Sequence, residues 1–187
     1  MIDIKPTDLL IAPPSMPDPR FQESVLMVIS HNDTGTVALC LNGDETLETQ
    51  DIDEECGPWD YMAQSYPIHW GGPVAKDSIW MLHDDLWSST NTVEIGTGTA
   101  ISSDIEMLES LKAGDTPKAF RVMNGFCSWA PGQLAAELEG LGHRDQRHAW
   151  LVAPCPDLET LLDCDIEDLW EEATALSAQS AVDRWLN

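Results

Sequence analysis

Residues 25–43, VLMVISHNDTGTVALCLNG, narrow the choice of fold more than any other stretch. Val25–Ser30 and Thr36–Leu41 are rich in β-branched and apolar residues, and His31-Asn32-Asp33-Thr34-Gly35 between them tolerates positive φ. Two such runs around such a turn predict a β-hairpin. Neither run alternates with polar residues, as a strand with one wet face would, so both faces of the hairpin are expected to be covered. That requires a sheet packed on both sides.

The rest of the chain supplies the partners. Leu9–Ala12 reads as a strand ahead of the turn-rich PPSMPDP. YPIHWGGPVAKDSIWMLHDD reads as strand, Gly-Gly-Pro turn and second strand ending near His83; TVEIGTGTAISS as a strand or broken hairpin; KAFRVMNG and AWLVAP as strands. SDIEMLESLKAG predicts a helix capped by Ser103 or Asp104, with Ile105, Leu108 and Leu111 in step and Gly114 closing it. PGQLAAELEGLG predicts a helix with Leu134, Leu138 and Leu141 on one face, and DIEDLWEEATAL one capped by Asp165 with Ile166, Leu169, Trp170 and Ala173 inward. Residues 44–60 carry eight acids and no base, a solvated loop or frayed helix. The sum is a mixed α/β (α+β-like) chain with split, mostly antiparallel β-sheets, hairpins and flanking helices. At 187 residues, with no linker or repeat, one compact domain over residues 1–187 is expected.

Charge narrows the function. Nine Lys and Arg against 33 Asp and Glu give −24, and the basic residues are scattered. Polyanion backbones and anionic bilayers need clustered cations, so direct nucleic-acid or membrane-surface binding is disfavoured. An acidic coat suits solubility in saline surroundings or a basic partner. Five Cys form no CxxC, which speaks against a paired-Cys zinc site and for reduced thiols. The N-terminal residues lack a signal-peptide pattern and no run reaches membrane-spanning length, so a cytoplasmic protein is expected. No cofactor or metal signature stands out. His83-Asp84-Asp85 reads as a strand end with solvated acids before it reads as a metal site, and GTGTAI lacks the third Gly of a dinucleotide fingerprint.

GFCSWAPGQLAAEL, residues 125–138, is the most unusual stretch. Phe120–Met123 is expected to feed a corner, and a helix is expected to start near Pro131. Gly125 and Gly132 permit unusual backbone angles, Trp129 anchors the corner, and the helix N-terminus offers N–H groups to an anion. Gln133 and Glu137, four apart, share a face beside the leucines. The spacing lacks the second Gly of a nucleophile elbow. Cys127 therefore reads first as a small buried hydrophobe and Ser128 as a helix cap.

Three motifs in order, LLIAPPSMPDPRFQESVLMVISHNDTGTVALCLN, PIHWGGPVAKDSIWMLH and RVMNGFCSWAPGQLAAEL, followed by AWLVAP and DLW, resemble the YqgE/AlgH family of bacterial proteins over residues 7–175. The resemblance implies a compact mixed α/β domain with split sheets, no established biochemical activity, and a transcriptional-regulator label that the acidic charge opposes as direct DNA contact. The family's recurring positions fall on Asp18, Phe21, His31, Asn42, Gly71, Gly72, Pro73, Val74, Leu82, His83, Gly125, Trp129, Pro131, Gly132, Gln133, Leu134 and Glu137. This chain departs from it at Gly43-Asp44, where Arg-Pro is usual, at Ser78 for an Arg, and at Cys127 and Ser128 for smaller residues.

The leading expectation is a binding or regulatory module for a small ligand or protein partner. Its cleft is lined by Asn42, Gly71, Gly72, Pro73, His83, Gly125, Trp129, Gly132, Gln133 and Glu137, where strands end. The second is a hydrolase-like enzyme using His83 with Glu137 or Ser128. The third is an acidic interaction protein for basic partners.

Overall fold

The computed structural model describes residues 3–46, 66–141 and 150–186. The hairpin forms as expected. β2 (Val25–Asn32) and β3 (Gly35–Cys40) pair antiparallel, with Asn32 opposite Gly35. In the turn, Asn32 Oδ1 accepts from Thr34 N. Around this hairpin are β1 (Leu9–Ile11), β4 (Ile68–Trp70), β5 (Val74–His83), β6 (Val93–Gly96), β7 (Thr99–Ser102), β8 (Phe120–Trp129) and β9 (Leu151–Ala153). They make one curled nine-stranded sheet in the order β6-β7-β5-β8-β3-β2-β1-β9, with β4 added against β8. Every pairing is antiparallel except β4 with β8.

The sheet has two halves, joined by β8. Its first residues pair with β4 and β5, and its last, Cys127–Trp129, with β3. The described helices, α1 (Ile105–Ala113), α2 (Gln133–Leu138), α3 (Leu158–Asp163) and α4 (Leu169–Leu186), cover the faces. Alternate residues of the hairpin go to opposite cores, which is why its apolar runs are continuous. Val25, Met27, Leu39 and Leu41 pack with Leu158, Leu161, Leu169 and Ala173 of α3 and α4. Leu26, Val28, Ala38 and Cys40 pack with Trp129, Leu134 and Trp150. A third cluster sets Ile79, Met81 and Val122 under Met107 and Leu111 of α1.

Several local expectations change. In α1 the cap is Asp104, whose carboxylate accepts from Met107 N at 2.8 Å, and Gly114 closes the helix. The buried face is Met107 and Leu111, four apart; Ile105 is 60% exposed. α2 is shorter than its leucines suggest. It ends at Leu138 and leaves Leu141 67% exposed. α3 was not anticipated; Asp157 caps it through Thr160 N. α4 begins at Leu169 rather than near Asp165 and runs to Leu186, past the end of the predicted DIEDLWEEATAL segment. Arg121 of β8, almost fully buried, donates to Leu41 O (2.6 Å) and Leu162 O (3.2 Å), tying the end of β3 to the last turn of α3. No helix among the described residues is long and apolar enough to cross a membrane.

Candidate functional site

The Gly-Gly-Pro segment is not a turn between neighbouring strands. Val122–Asn124 of β8 pair with β4 on one side and β5 on the other, so the link from Trp70 to Val74 must pass over β8. Trp70 lies opposite Asn124 and Val74 opposite Phe126, which puts the crossing on Gly125. A Cβ on Gly72 (φ 155) would overlap the backbone of Phe126 and Cys127, and one on Gly125 (φ 68) would overlap Gly72 O. A Cβ on Gly71 would come 2.6 Å from Gly125 O. These three glycines let two backbones touch. Gly71 N already donates to Asn124 O, and Gly71 O accepts from Cys40 N, so Gly71 offers no free N–H to an anion. The strand expected to end at Met123 continues through Gly125 to Trp129, because Gly125 is a crossing point and not a corner.

Beside the crossing opens a cleft of about 480 Å³. One wall is the short 3-10 turn Pro19–Phe21 and the residues after it, Gln22–Ser24; the second runs from Cys40 to Thr46; the third is Trp70, Pro73 and Lys76. Asn42 builds the first wall from the second. Its Oδ1 accepts from Val25 N (2.7 Å) and its Nδ2 donates to Glu23 O (2.8 Å). Glu23 is held there at φ 56. On the third wall, β5 bulges between Val74 and Ile79, with Ala75 at φ 47, and this bulge carries Lys76 to the cleft. Trp70 is half-buried on Phe21, with ring centroids 5.7 Å apart.

The corner is a self-satisfied unit. Glu137 Oε2 accepts from the indole N–H of both Trp129 (3.0 Å) and Trp150 (2.8 Å), and its Oε1 accepts from Gln133 Nε2. Gln133 Oε1 accepts from Ala130 N. Gly132, at φ 76, is the helix cap by conformation alone; Ser128, expected as the cap, is an exposed strand residue opposite Val37. Cys127 is buried against Gly71 O and burial drives its pKa far up, while Cys40 is pushed up to about 12. Burial holds both thiols in the neutral form, which disfavours them as nucleophiles. Rings link the corner to the cleft, since Trp129, Trp150, Phe21 and Trp70 form a chain of aromatic contacts.

His83 lies elsewhere. It sits opposite Phe120 at the start of β8, eight residues from Ser128, or roughly 26 Å along a straight strand. Its partner is Ser102. His83 Nδ1 donates to Asp84 O (2.7 Å), which leaves Nε2 to accept from Ser102 Oγ (2.9 Å). The spacing is that of a nucleophile and its base. Both residues are buried, however, Trp87 closes the imidazole edge-on, and Ser102 Oγ is also bonded to Thr92 Oγ1 (2.7 Å). No substrate reaches this pair. Asp84 and Asp85 accept from Leu86 N, Ala119 N and Gly98 N; among the described residues no group of three or more His, Cys, Asp and Glu could hold a metal ion.

The buried His83 carries a pH signature. Burial pushes its pKa below the ordinary histidine value of 6.5, as it does for His69, against the opposing pull of Asp84 on His83 and of Glu45 on His69, where Arg121 adds to the lowering. The unfolded chain then binds more protons than the folded one below pH 6.5. The stability these two histidines contribute is therefore full above that pH and is lost as the pH falls from 6.5 through their lowered folded-state values. Urea unfolding of His83→Gln should give a lower stability at pH 7.5 but a shallower decline between pH 7 and 5.5. An unchanged slope would remove His83 from the account.

Of the expected site residues, then, Asn42 and Pro73 line the cleft, while Gly71, Gly72 and Gly125 form the backbone crossing beside it. The structure sets Trp129, Gly132, Gln133 and Glu137 behind the cleft and His83 apart. Pro19, Arg20, Glu23, Asp44 and Lys76 also line the cleft and were not anticipated; Trp70, which flanks a turn in the sequence as a possible binding surface, lines it too. Trp70 and Trp87 are half-buried; Trp59, His143, His148 and most of the acidic stretch 44–60 lie outside the described residues.

Known proteins resemble this chain in sequence and in fold. A UPF0301 protein of Xanthomonas campestris pv. campestris (strain B100) is 30% identical over 167 residues, 88% of this chain and 85% of that protein. One from Rhizobium rhizogenes is 27% identical over 180 residues, 92% and 86% of the two chains. The solution structure of the AlgH protein from Pseudomonas aeruginosa superposes with a TM-score of 0.61 at 29% identity, over 97% of this chain and 92% of that one. A crystal structure of a Corynebacterium diphtheriae protein gives the same score at 23% identity, over 82% and 77%, a likeness of fold. A family model described as AlgH-like matches residues 9–180, and the chain belongs to that family.

Proposed function

We propose that this protein is a binding or regulatory module whose ligand seat is the cleft between the Pro19–Ser24 segment, the end of β3 and the bulge of β5. The observation that carries the reading is where the strain lies. Of the three non-glycine residues with positive φ among the described residues, Thr7, Glu23 and Ala75, one lines this cleft and another sits between two of its lining residues, Pro73 and Lys76. Such conformations persist where the surrounding structure imposes them, and they gather at ligand sites. The cleft volume falls in the range of small-molecule sites, about 300–1,000 Å³. Its lining holds no nucleophile beside a base, which supports binding over hydrolysis. The described cysteines, Cys40, Cys127, Cys155 and Cys164, are free thiols, which suits a reducing cytoplasm. Any influence on transcription would run through the ligand or a protein partner, because a net charge of −24 repels DNA.

A fragment screen read by two-dimensional NMR tests this. Bound fragments are expected to shift the backbone resonances of Asn42, Trp70 and Lys76, and Trp70→Ala is expected to weaken them about tenfold or more. Fragments that bind only elsewhere, or equally to Trp70→Ala, would sink the proposal.

A further inference from the structure

Both signs of charge line the cleft, Arg20 and Lys76 with Glu23 and Asp44, in a chain of 9 bases and 33 acids. These charges do not cancel one another. Arg20 is engaged through Nε and Nη2 by Asp18, outside the lining. Among the described residues, Lys76, Glu23 and Asp44 have no side-chain ion pair or hydrogen bond, although all three face one hollow. Opposite charges are thus held in one cleft but out of reach of each other.

Resting on the reading of this cleft as a ligand seat, we infer that its ligand is a small zwitterion with an apolar body, of the class of a short peptide with free termini. A simple anion would meet Lys76 and Arg20 but also Glu23, Asp44 and the field of the acidic coat. A simple cation would be drawn to the whole surface and would meet two positive groups here. A net-neutral dipolar molecule escapes both penalties and can bridge the separated charges, its carboxylate toward Lys76 and its ammonium toward Asp44 and Glu23. Trp70, Pro19 and Pro73 give its apolar part a surface to lie on. The volume of about 480 Å³ suits a molecule of dipeptide size.

The test uses phenylalanyl-glycine in four forms, free, N-acetylated, C-amidated and doubly blocked, titrated into the full chain by NMR. The free form is expected to bind about tenfold more tightly than either singly blocked form, with shifts at Asn42, Trp70 and Lys76. Lys76→Gln should erase the advantage of the free carboxylate, and Asp44→Asn with Glu23→Gln that of the free ammonium. These residues are exposed or at the rim, so the variants should fold. Equal binding of all four forms at the cleft overturns the zwitterion assignment and leaves the cleft as a ligand seat. Absence of any shift at the cleft with millimolar free peptide overturns the assignment as well, and the fragment screen then decides the cleft separately.

Discussion

Gly72→Ala is expected to leave little folded protein at 37 °C. Its Cβ would fall on the backbone of Phe126 and Cys127, and no rotamer change relieves a clash between two main chains. The φ of 155° adds conformational strain that only glycine avoids. Relief would require β4 or β5 to leave β8, and β8 is the strand that joins the halves of the sheet. The expected cost is about 5 kcal/mol or more, the whole margin of a marginally stable domain. Gly98→Ala is the control. Gly98 also has positive φ, at 73°, but a Cβ there meets nothing within 4 Å. It should cost about 1 kcal/mol, the price of backbone conformation alone. Chemical denaturation of both variants separates the clash from the φ preference. Similar midpoints for the two would refute the crossing.

The crossing also marks the boundary of what the sequence reveals. Hairpin β2–β3, the Asp104 cap and Gly114 were legible because each is a local pattern: a period, a cap three residues from its donor, a glycine after the last turn. Gly71, Gly72 and Gly125 were legible as special residues but not as one feature. The Gly71-Gly72 pair lies 53 residues before Gly125, counted from Gly72, and meets it only because β8 is shared by β4 and β5. Gly125 therefore looked like a corner, and β8 was cut short. The cleft was half visible for the same reason. Asn42 and Pro73 stand at strand ends, where ligands gather in open sheets. Arg20, Glu23 and Lys76 looked like ordinary surface charges, since nothing local says that Glu23 will be fixed by Asn42, or that β5 will bulge at Ala75. His83 misled because polarity at a strand end reads the same whether it faces a cleft or, as here, a buried Ser102.

Glu137→Ala is expected to destabilise the fold by about 3 kcal/mol without touching any catalytic step. Trp129 and Trp150 are 7% and 6% exposed, and both indole N–H groups end on one carboxylate oxygen. Hydrogen bonds to a charged acceptor contribute ~1.5–3 kcal/mol each, and a buried donor left without a partner keeps its desolvation cost. Water entering the space of the lost side chain would recover part of this for the more accessible ring. Glu137→Gln keeps one acceptor oxygen and should lose less. If the carboxylate acts through the indoles, Trp150→Phe in the Glu137→Ala background should cost less than in the parent, a coupling that a double-mutant cycle measures directly. The indole N–H resonances of Trp129 and Trp150 should also move together in Glu137→Ala. Because Trp150 leans on Phe21, and Phe21 on Trp70, the loosened ring chain ends at the cleft wall. Ligand affinity should then fall in Glu137→Ala although Glu137 does not line the cleft. A variant of parental stability, or one with uncoupled indoles, would show that the corner is held by packing and that the carboxylate is free for another role.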